Sequence, residues 1–249
     1  MSKLGIEIDK YQTRISVFSA ETVENHLIIF SDLQDYRCKE QLESTITELR
    51  LRETSFDSYV LSWFGNKTTL LPENLFVEGD REHFFELCFG KPTPDQRIAS
   101  DRIPAARIVN VYAIPEWIQY FFPQLFPRMT LRSEGSFIVE KLTASRTAEL
   151  GIVLSLHSEH FLLAIAQSDA LVYYATFDFQ APEDIVYHLM FTLQQKELLN
   201  RRGELSVFQG TSTKDDLSTE LTTIFSKITE LSALEIKIAE FTNIFELCE

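Results

Sequence analysis

An α/β protein built from two copies of one unit is the fold that this sequence predicts, and three observations predict it. Short runs of alternating or unbroken apolar residues are interleaved with stretches whose apolar residues recur at a period of about 3.6. The order strand, strand, strand, helix, strand occurs twice, once from Leu4 and again from Leu150. Both copies also open on the same letters, Leu4-Gly5-Ile6 and Leu150-Gly151-Ile152. The repeat unit is a half-chain rather than a short motif, so it reads as a domain duplication and not a solenoid.

The elements of the first copy follow in order. Residues 4–8 and 13–18 read as strands joined by a turn, and His26 to Phe30 as a third. Over residues 34–52 the period changes, with Leu42, Ile46 and Leu49 on one helical face. Tyr59 to Phe64 is a short apolar strand stopped by Gly65. An insertion over roughly 65–106 then breaks the repeat. It holds a strand at 67–71, a helix at 80–89, and a polar loop carrying Pro92, Pro94 and Pro104. The first copy resumes with a strand at 107–113, a helix at 115–122, a strand at 128–131 and a helix at 134–147.

The second copy is uninterrupted. Strands are expected at 150–154, 161–166 and 171–177. A helix at 183–199 starts after Pro182, with Glu183 and Asp184 early and Lys196 late, as the helix dipole favours. A strand at 205–208, a helix at 214–229, a strand at 234–239 and a last helix at 241–248 complete it. The expected division is therefore 1–148 for the first half with its insertion, and 149–249 for the second.

The 249 residues are 45% hydrophobic and 24% charged, which excludes a disordered chain. Phe is abundant at 20 residues, so the core should be aromatic-rich. The formal charge is −14, which disfavours nucleic acid and anionic membrane as partners and favours a basic protein. The first residues have no signal-peptide pattern, and no apolar run reaches the ~18 residues of a membrane span. Cys38, Cys88 and Cys248 are odd in number and far apart, which fits free thiols in a reducing cytoplasm.

Two segments carry a resemblance: Leu70-Leu71-Pro72-Glu73-Asn74-Leu75-Phe76, and Val111-Tyr112-Ala113-Ile114-Pro115 followed by Leu125-Phe126-Pro127. With them the chain resembles an uncharacterised bacterial family, mostly from Bacteroidetes, assigned the actin-like ATPase fold. That fold is a pair of ribonuclease-H-like units with mixed sheets. It is also similar, more distantly, to pilus-assembly and secretion proteins of comparable size with a comparable insertion. The resemblance spans nearly the whole chain and brings no known activity.

Actin-like ATPases hold phosphate and Mg²⁺ in two strand turns of the pattern Asp-x-Gly. The carboxylate orients metal-bound water, and the glycine lets backbone N–H groups approach phosphate. In the first turn Asp9, Lys10 and Thr13 are vestigial candidates, but Tyr11 stands where glycine is expected. The second turn, Leu154 to Glu159, has neither acid nor glycine at the matching places. Of the glycine pair expected around the adenosine, Val207-Phe208-Gln209-Gly210-Thr211 supplies Gly210 alone. Asp9 then reads as an ordinary turn residue. No catalytic residue, cofactor or metal is expected, with ATP/Mg as the alternative.

Other chemistries find little support. A two-metal nuclease needs clustered carboxylates; Glu7, Asp9, Glu40, Glu43 and Glu48 are available, yet the next strand ends Ser62-Trp63-Phe64-Gly65. His157 and His160 are spaced for a metal pair, but no third ligand is nearby, so they read as solvated turn residues. Two aromatic groups can be core or exposed anchors: Trp117, Tyr120 and Phe121 on one helix face, and Phe84, Phe85 and Phe89 in the insertion. The expected function is a non-catalytic interaction or scaffold protein on a degenerate actin-like ATPase fold. The alternative is a nucleotide-binding protein with slow or no ATP hydrolysis.

Overall fold

Alternation along the first strand sets the first sheet. The computed structural model describes residues 2–30, 33, 36–144, 149–209 and 217–240. Its first part runs β1 (Lys3–Ile8), β2 (Gln12–Phe18), β3 (Val23–Ile29), α1 (Tyr36–Glu48), β4 (Ser58–Trp63), β5 (Thr68–Pro72), α2 (Arg81–Phe89), β6 (Gln96–Ile103), β7 (Ile108–Pro115), α3 (Glu116–Leu125), β8 (Thr130–Ser133) and α4 (Glu134–Ala144). Its second part runs β9 (Leu150–Leu156), β10 (His160–Gln167), β11 (Ala170–Asp178), α5 (Pro182–Gln195), β12 (Gly203–Gln209), α6 (Leu217–Phe225) and β13 (Leu234–Glu240). The last expected helix, 241–248, lies outside the described residues, as do Gly210 and Cys248.

Contacts divide the chain into two units: residues 1–101 with 109–134, and residues 102–108 with 135–249. The first unit holds a five-stranded sheet in the order β3-β2-β1-β4-β8. β2 runs antiparallel to β1 on one side and β4 parallel to it on the other. Leu4, Ile6 and Ile8 face one side with Ile15, Leu61 and Trp63. They join Leu42 and Ile46 of α1 and Ile118, Phe121 and Phe122 of α3 in one core.

The second unit repeats this in the order β11-β10-β9-β12-β13. Ile152, Leu154 and Leu156 form its core with Phe161, Leu163, Leu205 and Val207. Ile185, Leu189 and Leu193 of α5 and Leu221 and Phe225 of α6 cover them. The duplicated ribonuclease-H-like arrangement with mixed sheets and an insertion in the first copy is therefore present.

The shared letters are a coincidence of spelling, however. Counted back from each hairpin, Ile8 opposes Thr13 while Leu156 opposes Phe161, so Ile8 corresponds to Leu156. Leu4 then corresponds to Ile152, two residues beyond the position the letters imply.

The insertion also differs from expectation. The predicted loop before Pro104 contains β6, whose Ile98, Ala99, Asp101 and Ile103 are buried. The expected strand of the resumed first copy, β7, is instead the middle of a three-stranded sheet β5-β7-β6. The insertion thus runs to Pro115. It has its own core of Phe76, Phe85, Ile98, Val109, Val111 and Ala113.

Buried hydrogen bonds fasten the insertion to the first sheet. The Trp63 indole N–H donates to the Ala113 carbonyl at 2.8 Å. Asp101 accepts from the Tyr112 hydroxyl at 3.1 Å and from the Ser133 N–H at 2.8 Å. Burial, and then the neighbouring Asp101 carboxylate, push the Tyr112 phenol well above its ordinary range.

Two predictions follow from these contacts. Trp63→Phe keeps an aromatic six-membered ring but removes the indole N–H and leaves a buried carbonyl short of a donor, so urea unfolding should register a loss of at least about 1–3 kcal/mol. At the start of α5, Asp184 accepts from the Gln180 and Ala181 N–H groups at 2.9 and 3.1 Å. Those bonds lower its pKa. Its stabilisation is complete above the ordinary Asp range and disappears as pH falls through the lowered value. Asp184→Asn should therefore be less stable at neutral pH and converge with the parent in acid, read as Tm against pH.

Candidate functional site

In the first unit the β1–β2 hairpin is the place where a phosphate would sit if the chain held one. Asp9 is buried there, at 3% exposure. Its Oδ1 accepts from the Tyr11 N–H at 2.7 Å and the Gln12 N–H at 3.0 Å. The Asp9 N–H itself donates to the Gln12 carbonyl at 3.0 Å. The side chain thus closes an Asx turn on its own backbone. The N–H groups of Asp9, Tyr11 and Gln12, which a phosphate would need, all donate inside the protein. Lys10 extends to the Tyr11 hydroxyl, 2.9 Å from it. Thr13 is fully buried.

A polar row lies behind this turn, and sequence reading missed it. Register places Arg14, Glu7, Ser62 and Arg132 side by side across β2, β1, β4 and β8. The Arg14 guanidinium stands 3.5 Å from the Glu7 carboxylate, and Glu7 and Ser62 are buried. The signal was present as charged residues, Glu7 and Arg14, at the alternate positions of inner strands. Glu40, Glu43 and Glu48 lie exposed on α1. They do not converge with Glu7, and among the described residues no acidic, His or Cys group could hold a metal.

In the second unit His157 occupies the hairpin position that Asp9 has in the first, donating its N–H to the His160 carbonyl at 2.9 Å. The expectation of two solvated histidines is corrected. His157 is buried directly after the end of β9. The His160 ring meets Asp178 at 2.6 Å. A small cavity of about 60 Å³ in this unit is lined by Lys141, Gly151, Ser168, Asp169, Glu204 and Ser206. That is room for a few waters. Burial works against the Glu204 carboxylate, but hydrogen bonds from Lys237 and Ser206 outweigh it and lower its pKa.

The aromatic candidates separate by burial. Phe85 is wholly buried and Phe84 and Phe89 are half-buried in the insertion core. Phe121 is buried, Trp117 half-buried against it, and Tyr120 exposed at 54%. So Phe85 and Phe121 are core rather than anchors. The exposed apolar residues of the insertion are instead Leu75, Val77 and Leu87, at 60%, 58% and 70%. Leu75 and Val77 flank the buried Phe76, and Leu87 lies between Phe85 and Phe89.

Comparison with known proteins places this geometry. Residues 1–228 match the family described as protein of unknown function (DUF3822). The chain belongs to that family. A solved Bacteroides thetaiotaomicron protein with an actin-like ATPase fold and unknown function is similar to this DUF3822 member at TM-score 0.76 and 14% identity. That match covers 100% of this chain and 96% of the other. PilM, from a PilM–PilN type IV pilus biogenesis complex, is similar at TM-score 0.59 and 11% identity, covering 98% and 90%. At these identities the likeness establishes the actin-like ATPase fold. No curated protein matches the chain. Among its described residues no helix is long and apolar enough to cross a membrane.

Two substitutions test these placements in the DUF3822 chain. Asp9→Ala strands the buried Gln12 N–H and the part-buried Tyr11 N–H and should cost about 1–3 kcal/mol in chemical denaturation. Asp9→Asn, which keeps an acceptor, should cost less. In α2, Phe85→Ala should cost about 3–5 kcal/mol while Leu87→Ala stays within about 0.5 kcal/mol of the parent.

Proposed function

We propose that the chain is a non-catalytic protein-interaction module on a degenerate actin-like ATPase fold, working in the cytoplasm without a nucleotide. The observation that carries this is the Asx turn at Asp9. One oxygen of the carboxylate that would orient metal-bound water, Oδ1, is held by its own backbone. The amides that would cradle phosphate are spent with it. Tyr11 adds a side chain where a phosphate loop needs none.

The proposed partner surface is the insertion. Leu75, Val77 and Leu87 stand exposed among Glu73, Glu78, Asp80, Glu82 and Glu86, with Arg81 the sole Lys or Arg between residues 73 and 90. Exposed apolar side chains rimmed by acids suit a protein partner with an apolar anchor and a basic surround. PilM, similar in fold, is itself one component of a protein complex. The −14 charge and the exposed thiol of Cys88 favour a cytoplasmic role away from nucleic acid and membrane.

Thermal unfolding with Mg-ATP is the direct test. A ligand at 100 times its Kd adds about 2.7 kcal/mol to stability. An unchanged Tm is expected; a rise that Asp9→Ala abolishes would establish a live nucleotide site. In affinity capture from the native cell, Leu75→Glu/Leu87→Glu should lose the bound proteins while folding normally, and retention of all of them would move the partner surface elsewhere.

A further inference from the structure

The outer edge of the first sheet has unusual chemistry. β3 is a terminal strand of its sheet, seven residues long. Its Val23, Leu27 and Ile29 are exposed at 47%, 51% and 68%. Proteins normally protect such edges with Pro, Lys, bulges or shortness, because an open edge templates pairing with another chain. The other terminal strands of the two five-stranded sheets carry such protection. β8 has four residues, the β10–β11 ladder is interrupted at Ile165/Ala166, and β13 carries Glu235 and Lys237. β3 has no Pro, Lys or Arg, and its pairing with β2 runs without a shift from Phe18↔Val23 to Gln12↔Ile29.

Hydrogen-bond parity shows which backbone groups the edge offers. At one end of the hairpin the Ser19 N–H donates to the Thr22 carbonyl, and at the other the Phe30 N–H donates to the Tyr11 carbonyl. Antiparallel pairs alternate between bonded and non-bonded. Glu24, His26 and Ile28 therefore bond to β2. Val23, Asn25, Leu27 and Ile29 direct N–H and C=O outward, and among the described residues no strand receives them.

We propose that this edge pairs with the same edge of a second copy, antiparallel about a two-fold axis through Asn25. The strand is self-complementary in that register. Asn25 meets Asn25, Val23 meets Leu27, and Glu24 meets His26 of the second copy. The Glu24–His26 pairs fall at non-bonded positions, where side chains approach most closely. The in-phase register shifted one way places His26 against His26, and the register shifted further places it against Ile28. Only the register centred on Asn25 gives the carboxylate an imidazole N–H. The first sheet of each copy then joins its counterpart in one continuous sheet through the dimer. This goes beyond the proposed partner surface, which uses a different part of the unit.

Sedimentation velocity of the full chain over a concentration series, at an ionic strength that screens the net charge, tests this. A concentration-dependent dimer is expected. Asn25→Pro removes an outward N–H and leaves the backbone ladder to β2 in place, a substitution that edge strands tolerate, although it also removes the Oδ1 that accepts from the Ser16 hydroxyl at 2.7 Å. It should weaken self-association by roughly tenfold or more, with an unchanged circular dichroism spectrum. Leu27→Lys, which places a lysine on the edge, should do the same and covers the case where the proline variant misfolds. Glu24→Lys should also weaken the dimer, and Glu24→Lys/His26→Glu should recover it by exchanging the pair. A chain that stays monomeric at roughly 100 µM overturns the proposal. So does a dimer indifferent to Asn25→Pro and Leu27→Lys, or a charge-exchanged chain that associates no better than Glu24→Lys.

Discussion

Each unit depends on its central strand, which is hydrogen-bonded on both sides. β1 has an antiparallel neighbour and a parallel one, and β9 has the same. A strand in that position has no edge left, so its only variable outputs are its two faces and its end. One face, Leu4, Ile6 and Ile8, is committed to the helices. The other carries Glu7 in a row with Arg14 and Ser62. The end is the hairpin at Asp9. Because the strand cannot shift without breaking two ladders, the turn geometry at Asp9 is inherited by whatever residue stands there. Asp9 and His157 occupy corresponding tips and close them with the same backbone bond, to which Asp9 adds its carboxylate.

Much of the fold was legible because burial imposes period. Leu42 and Ile46 mark α1, and Ile185 and Leu189 mark α5, since a helix that must cover a sheet repeats its apolar face. β6 was illegible for the converse reason. Gln96-Arg97-Ile98-Ala99-Ser100-Asp101-Arg102-Ile103 mixes polar residues onto both faces, and its buried acid is satisfied only by Tyr112 and Ser133, remote in sequence. Pro94 and Pro104 flank this strand rather than shape a loop. Three identical letters suggested a register that strand pairing places two residues away.

At the candidate site the residue types were readable and their hydrogen bonds were not. Tyr11 in place of glycine announces a turn unsuited to phosphate. That Asp9 uses its carboxylate on the Tyr11 and Gln12 amides requires three-dimensional geometry. The aromatic stripes show the same limit from another side. Phe84 and Phe85 are sequence neighbours, yet one is half-buried and the other enclosed, because α2 covers a sheet of its own. Helical spacing identifies a stripe, while the size of the surface opposite decides how much of it disappears.

The chain's two tryptophans, Trp63 and Trp117, both belong to the first unit. Trp63 bridges to the insertion through Ala113, and Trp117 rests on Phe121. Red-edge excitation, where tyrosine does not absorb, therefore illuminates one half of the duplication and leaves the other dark. Far-ultraviolet circular dichroism sees both. The molecule thus carries a built-in pair of optical channels, and any lag between them during unfolding measures how far two related units have kept a common fate.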